Sequence, residues 1–222
     1  MDRPLAALFD AGDCSSIQRV QMQPVALSEF YAQLMRLLPD DRARPFVCDG
    51  SPLECRSFIV GLNAATRLDC SFRKYWSDES GFKLALFRQD YDRTRRRRGN
   101  RPVIEAISAQ IAPCLETNLY AHPTKKAKDL TRADREVSII EFLFLAIRPR
   151  LVFCHSKEPI RFFEKATGCS GFDQDEVKRT RWHGHEFLIF GRPGPLYTLG
   201  PRRASELGAM LADRLRTEPW SQ

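Results

Sequence analysis

The first residue whose type and position suggest chemistry is Asn63, in the stretch Phe58-Ile59-Val60-Gly61-Leu62-Asn63-Ala64-Ala65-Thr66. Three apolar residues, two of them β-branched, read as a short strand buried on both faces. Gly61 lacks a Cβ and so permits a close approach to the backbone or a sharp exit. The Asn63 amide then follows just past the strand's carboxyl end, the edge at which open parallel sheets bind ligands. A second feature is the run Arg93-Thr94-Arg95-Arg96-Arg97-Arg98-Gly99, with five arginines in six positions. Such a run repels itself unless an anion is near, and guanidinium pairs bidentately with phosphate. Arg93, Arg95, Arg96, Arg97 and Arg98 are therefore read as phosphate contacts.

Other groups make weaker sites. The seven cysteines (14, 48, 55, 70, 114, 154 and 169) form no Cys-x-x-Cys, and the four histidines show no zinc-finger spacing. His183 and His185 offer at most two ligands on one strand face. Reduced structural thiols are expected, with no metal and no cofactor. His155-Ser156 is not a triad, and no Gly-x-Ser-x-Gly elbow surrounds that serine.

The elements that must hold these residues follow from periodicity. Leu27, Phe30, Tyr31, Leu34 and Leu38 predict a helix over 24–38, ended by Pro39-Asp40-Asp41. Residues 67–100 show no obvious regularity. Helices are expected at 102–112, 133–147 and 158–167 and from about Pro201, burying Ala204, Leu207, Leu211 and Leu215. Strands are expected at Leu115–Ala121, Leu151–Cys154 and Glu186–Phe190, beside the one opening at Phe58. Four strand-then-helix units imply a parallel sheet with helices on both faces. The expected architecture is three-layer α/β/α around a central four-stranded parallel sheet. Right-handed crossovers bring Asn63, Asn118, His155 and Arg192 to one edge.

The chain has 222 residues, 43% hydrophobic, enough for one buried core. A single domain spanning 1–222 is expected, with residues 1–45 an N-terminal extension and helix packing on it. No run reaches the roughly 18 apolar residues of a membrane span. Asp2, Asp10 and Asp13 do not suit a secretory signal. The expectation is a monomeric cytoplasmic protein without membrane contact. A net charge of +7, mostly arginine, raises nucleic acid as a partner.

Taken together, these motifs resemble those of the uracil-DNA glycosylase superfamily over roughly residues 46–216. Its first motif, Gly-x-Asn-Pro-Gly or Gly-Gln-Asp-Pro-Tyr, corresponds to Gly61-Leu62-Asn63-Ala64-Ala65. Its second, often His-Pro-Ser-Pro-Leu, corresponds to Arg192-Pro193-Gly194-Pro195-Leu196. Glu116-Thr117-Asn118-Leu119-Tyr120 is similar to the strand whose asparagine reads the flipped base. The chain departs from the family at Ala64 (proline), Arg192 (histidine) and Gly194 (serine). Some branches carry an iron–sulfur cluster on four cysteines, but the thiol spacing here differs from theirs.

The resemblance implies a DNA glycosylase that flips out and excises uracil or a 5-substituted pyrimidine, in repair or in defence against phage. Cleavage passes through an oxocarbenium-like sugar while negative charge builds on the base. Asn63 would orient water rather than act as general base. Arg192 would either stabilise the leaving anion or grip phosphate. Asn118 would pair with the pyrimidine's Watson–Crick edge, and Trp76 or Phe72 would stack on it. Leu196 matches the family's wedge. Ala65 stands where strict uracil enzymes place tyrosine, which leaves room at ring carbon 5, as removal of glucosylated hydroxymethylcytosine by some relatives requires. The rival reading keeps the fold as a nucleic-acid-binding module without catalysis. A third, a hydrolase using His155 or Ser156, lacks a motif.

Overall fold

The computed structural model describes residues 26–220 apart from 39, 41, 65–67, 95–98, 125 and 173–175. In chain order the elements are α1 (Leu27–Leu37), β1 (Phe46–Val47), β2 (Ser57–Asn63), a small hairpin of β3 (Trp76–Ser77) and β4 (Gly81–Phe82), α2 (Leu84–Thr94), α3 (Arg101–Gln110), β5 (Cys114–Tyr120), α4 (Ser138–Ile147), β6 (Leu151–His155), α5 (Lys157–Thr167), β7 (Lys178–Trp182), β8 (His185–Arg192) and α6 (Gly200–Thr217). Among the described residues no helix is long and apolar enough to cross a membrane.

Six strands join in the order β1-β5-β2-β6-β8-β7. The inner four, β5, β2, β6 and β8, run parallel. The outer two, β1 and β7, pair antiparallel on the two edges. This corrects the expected four-stranded, all-parallel sheet to a mixed sheet of six strands. The edge strands escape the apolar signal because one is too short to show a pattern and the other alternates charged residues with buried ones. Strand β1 has two residues, and β7 reads Lys-Arg-Thr-Arg-Trp with only Thr180 and Trp182 buried.

Alternation along the inner strands divides the interior into two cores. Phe58 and Val60 of β2, Val152 and Cys154 of β6, and Phe187 and Ile189 of β8 meet Phe30, Leu34, Ile140, Phe144 and Phe163 from α1, α4 and α5. Ile59, Leu151, Phe153, Leu188 and Phe190 meet Val103, Ile104 and Ile107 of α3 and Ala204 and Leu211 of α6. Each fully buried side chain of this size contributes about 1.5–3 kcal/mol, so the inner sheet is the stable platform of the molecule.

The stretch 67–100, which sequence leaves unassigned, contains the β3–β4 hairpin and helix α2. Helix α2 buries Phe87 and Tyr91 but also Asp90, and that carboxylate interrupts the apolar period. Asp90 accepts hydrogen bonds from Lys74 Nζ at 2.6 Å and Tyr75 Oη at 2.9 Å, and the Arg93 guanidinium pairs with it as well. A buried carboxylate satisfied in this way locks α2 to the 3-10 turn Phe72–Tyr75 that leads into the hairpin.

Candidate functional site

At the carboxyl edge of the parallel strands, on the face that carries α3 and α6, side chains from three neighbouring strands converge. The register sets Gly61 opposite Asn118 and Asn63 opposite Tyr120. On the other side, β6 and β8 place His155 opposite Arg192. A Cβ built on Gly61 would lie 2.7 Å from Asn118 Oδ1 and 2.8 Å from His155 Nε2. Both side chains thus reach over the glycine from the strands that flank it. Any larger residue at position 61 would occupy the space in which they meet.

Asn63 ends β2, half-buried. Its Nδ2 donates to Thr124 Oγ1 at 2.7 Å and to the Thr124 carbonyl at 3.2 Å. Thr124 belongs to the segment that leaves β5. His122 fixes the start of that segment, with Nδ1 3.4 Å from Asp40 and 3.7 Å from Asp134. With its nitrogen committed, the amide has its carbonyl oxygen left to accept a further hydrogen.

Two residues before Asn118 on the same strand face lies Glu116. Arg101, the first residue of α3, grips it through two parallel bonds of 2.7 and 2.6 Å, and the two side chains are 11% and 14% exposed. Burial works to raise the Glu116 carboxyl, but the charge and hydrogen bonds of Arg101 outweigh it and hold the group below its ordinary value. The Arg101 guanidinium also lies over the Tyr91 ring, 5.2 Å from its centroid. This clamped pair lies near enough to the His155 imidazole for both of its charges to act on it.

Burial also drives the His155 imidazole down to about 4, with Glu116 opposing the shift and Arg101 adding to it. The ring is neutral at pH 7. An unfolded histidine titrates at 6.5, so as pH falls the unfolded chain takes up the proton first. The associated stability is complete above pH 6.5 and is lost as pH falls through that value to about 4. The loss across this window is expected to be about 2–3 kcal/mol. In urea titrations at pH 7 and pH 4, His155→Gln should lose correspondingly less than the parent. Equal losses in the two proteins would remove His155 from the acid response.

Ser156, which follows His155, has φ 90° and ψ 156°, a backbone region costly for any residue with a side chain. Its N–H donates to the Arg192 carbonyl at 2.9 Å, and its hydroxyl donates to the His155 carbonyl. The hydroxyl is thus turned to backbone, not to an imidazole, which leaves the hydrolase reading without a nucleophile–base pair. His185 is likewise engaged, its ring donating to the Pro149 carbonyl at 2.8 Å. Among the described residues no group of three His, Cys, Asp or Glu side chains is arranged to hold a metal ion.

The structure thus brings Gly61, Asn63, Asn118 and Arg192 to one edge, together with His155. Arg192 is half-buried, and its Nε is buried without a hydrogen-bond partner among the described residues. Other expectations are corrected. Trp76 stacks on Tyr31 with centroids 4.7 Å apart and planes 11° apart. Phe72 packs edge-on to Phe46 and stacks on Phe82. Both belong to the first core, so protein covers the faces expected to receive a base. Leu196 is buried in the second core with residues of α3 and α6 instead of projecting as a wedge. Its neighbour Tyr197 is the exposed residue, at 61%. Arg93 is exposed but paired with Asp90. Ala65 and Arg95 to Arg98 lie outside the described residues. The residue just after that basic run is nevertheless located: Asn100 Oδ1 accepts from Tyr197 N at 2.9 Å, which joins the run's end to the loop leaving β8.

Glu116, Arg101 and Thr124 carry weight in the site yet were not among the residues read from sequence. A signal existed for the first. Period two on a strand puts 116 and 118 on one face, and a carboxylate in a buried strand requires a cation. The fold and site together define an α/β protein of mixed sheet, with a polar cluster at the carboxyl edge of its parallel strands. No protein-family model matches the chain, and none of the curated proteins compared with it matches.

Proposed function

We propose that this protein is a DNA glycosylase that hydrolyses the N-glycosidic bond of uracil or a 5-substituted pyrimidine and leaves an abasic site. The observation that carries the reading is the convergence over Gly61. Asn118 and His155 meet there, with Asn63 two residues further along β2, held by its nitrogen so that its oxygen is left to orient water. The four inner parallel strands, with helices against both sheet faces, are compatible with the uracil-DNA glycosylase-like fold that the motifs suggest. The net charge of +7 suits a polyanionic partner.

In this reading Asn118 binds the edge of the extruded base and Asn63 orients the water. The C1′–N bond breaks with its electron pair passing to the base. The water oxygen bonds C1′ and releases its proton to the departing base or to solvent. Arg192 supplies a fixed positive charge, either to the base anion or to a flanking phosphate.

Base release from a panel of single- and double-stranded DNA, read by alkali cleavage, tests this. The panel carries uracil, mismatched thymine, hydroxymethylcytosine and glucosylated hydroxymethylcytosine. Release of one of these bases is the expected result. Binding without release from any substrate would overturn catalysis and leave a nucleic-acid-binding module on the same fold.

A further inference from the structure

His155 has the geometry of a residue that touches the substrate. It stands on β6, across β2 from Asn118, and the two side chains meet above Gly61. The two distances from the Gly61 Cβ position put Asn118 Oδ1 and His155 Nε2 no more than about 5.5 Å apart. Neither side chain hydrogen-bonds to another described residue, and neither has a polar atom sealed from solvent without a partner. Two unengaged polar groups thus face a gap that exists because residue 61 has no side chain. One is an amide and the other an uncharged imidazole. Together they suit the edge of a flat, neutral ring carrying carbonyl groups, and repel neither its neutral form nor its anion. A fixed cation in the same place would bind any anion that entered. Arg101, the cation nearest Glu116, is already spent on that carboxylate.

Resting on the glycosylase reading, we propose that His155 is a catalytic residue of the site: its Nε2–H donates to a carbonyl oxygen of the pyrimidine whose edge Asn118 also binds, and holds the charge that gathers on that oxygen as the base departs. Arg192, one strand further along, is then the group that meets phosphate. A neutral donor strengthens its bond as the oxygen gains charge, so its effect falls on the bond-breaking step more than on binding.

The test has two arms. In the first, single-turnover release is measured for His155→Leu and His155→Gln on the substrate found with the panel. Glutamine keeps a donor near the Nε2 position. The leucine variant should release base at least 30-fold more slowly with Kd changed less than 3-fold, and the glutamine variant should stay within 10-fold of the parent. Comparable losses in both variants, or none in leucine, would overturn the proposal with the glycosylase reading intact. Thermal unfolding establishes that both variants are folded. The second arm needs no turnover. The protein, ¹⁵N-labelled at histidine, is titrated with an oligonucleotide carrying 2′-fluoro-2′-deoxyuridine, which resists hydrolysis, and with one carrying a tetrahydrofuran abasic site. The His155 Nε2 signal should move with the first and not the second. Binding of both without a selective shift would overturn the contact. Binding of neither, with no release from the panel, would bring down the contact and the glycosylase reading together.

Discussion

Glu116→Ala is expected to lower the stability of the protein by about 3–5 kcal/mol, a greater loss than any surface substitution should cause. The reason lies in what is left behind. Arg101 is 11% exposed, and its bidentate partner is Glu116. Without the carboxylate a guanidinium remains buried, with the Tyr91 ring to face. At roughly 2–4 °C per kcal/mol for a chain of this size, the melting temperature should fall by about 10 °C. The double variant Arg101→Leu/Glu116→Leu strands neither charge and should recover most of the loss. That recovery separates the cost of an unpaired buried charge from the intrinsic worth of the pair. A loss below about 1 kcal/mol for Glu116→Ala, read by urea titration, would mean that water reaches the pair freely.

That pair also marks the limit of what the sequence made legible. The inner strands β2, β6 and β8 announce themselves as short apolar runs bounded by turn signals, such as Phe58-Ile59-Val60 and Leu151-Val152-Phe153-Cys154, whereas β5 interrupts its buried residues with Glu116 and Asn118. Once they are parallel, the residues at their ends must share an edge, so Asn63, Asn118 and Arg192 were legible as neighbours. Strand β7 was not, because its outward residues are Arg179 and Arg181 and its inward ones are Thr180 and Trp182. Helix α2 was hidden by Asp90, a charge on its buried face that makes sense only with Lys74 and Tyr75 in place. Residue type also says little about direction. Trp76, Phe72 and Leu196 were read as facing a ligand, and the cores claimed all three. His155 was legible at the same edge, and Gly61 as a point of close approach, but that the His155 and Asn118 side chains meet over that glycine depends on pairing across three strands, which no local pattern encodes.

Asn63→Ala should slow base release by about 10²–10³-fold while changing DNA affinity less than about 3-fold. An amide cannot accept a proton from water at neutral pH, so what Asn63 offers is orientation. The quality of that orientation depends on how firmly the amide itself is held. Thr124 holds it at two points, 2.7 Å at the hydroxyl and 3.2 Å at the carbonyl. Both contacts take the nitrogen, which fixes the oxygen as the end that meets the water. Alanine removes the acceptor but leaves Asn118, His155 and the net charge of +7, so binding survives. Thr124→Val removes the shorter contact and should cost about 10-fold, since the amide is then held through the backbone carbonyl alone. Asn63→Asp is the informative contrast. A carboxylate could serve as general base, but it has no hydrogen to give the Thr124 carbonyl and would be repelled from the position the amide occupies. Its rate should therefore stay below that of the parent, and Thr124 would be the residue that keeps this site an amide site. Single-turnover rates and anisotropy titrations of the three variants decide the matter. Release by Asn63→Ala at the parent's rate would take Asn63 out of the mechanism, and a faster Asn63→Asp would show that Thr124 does not set the choice.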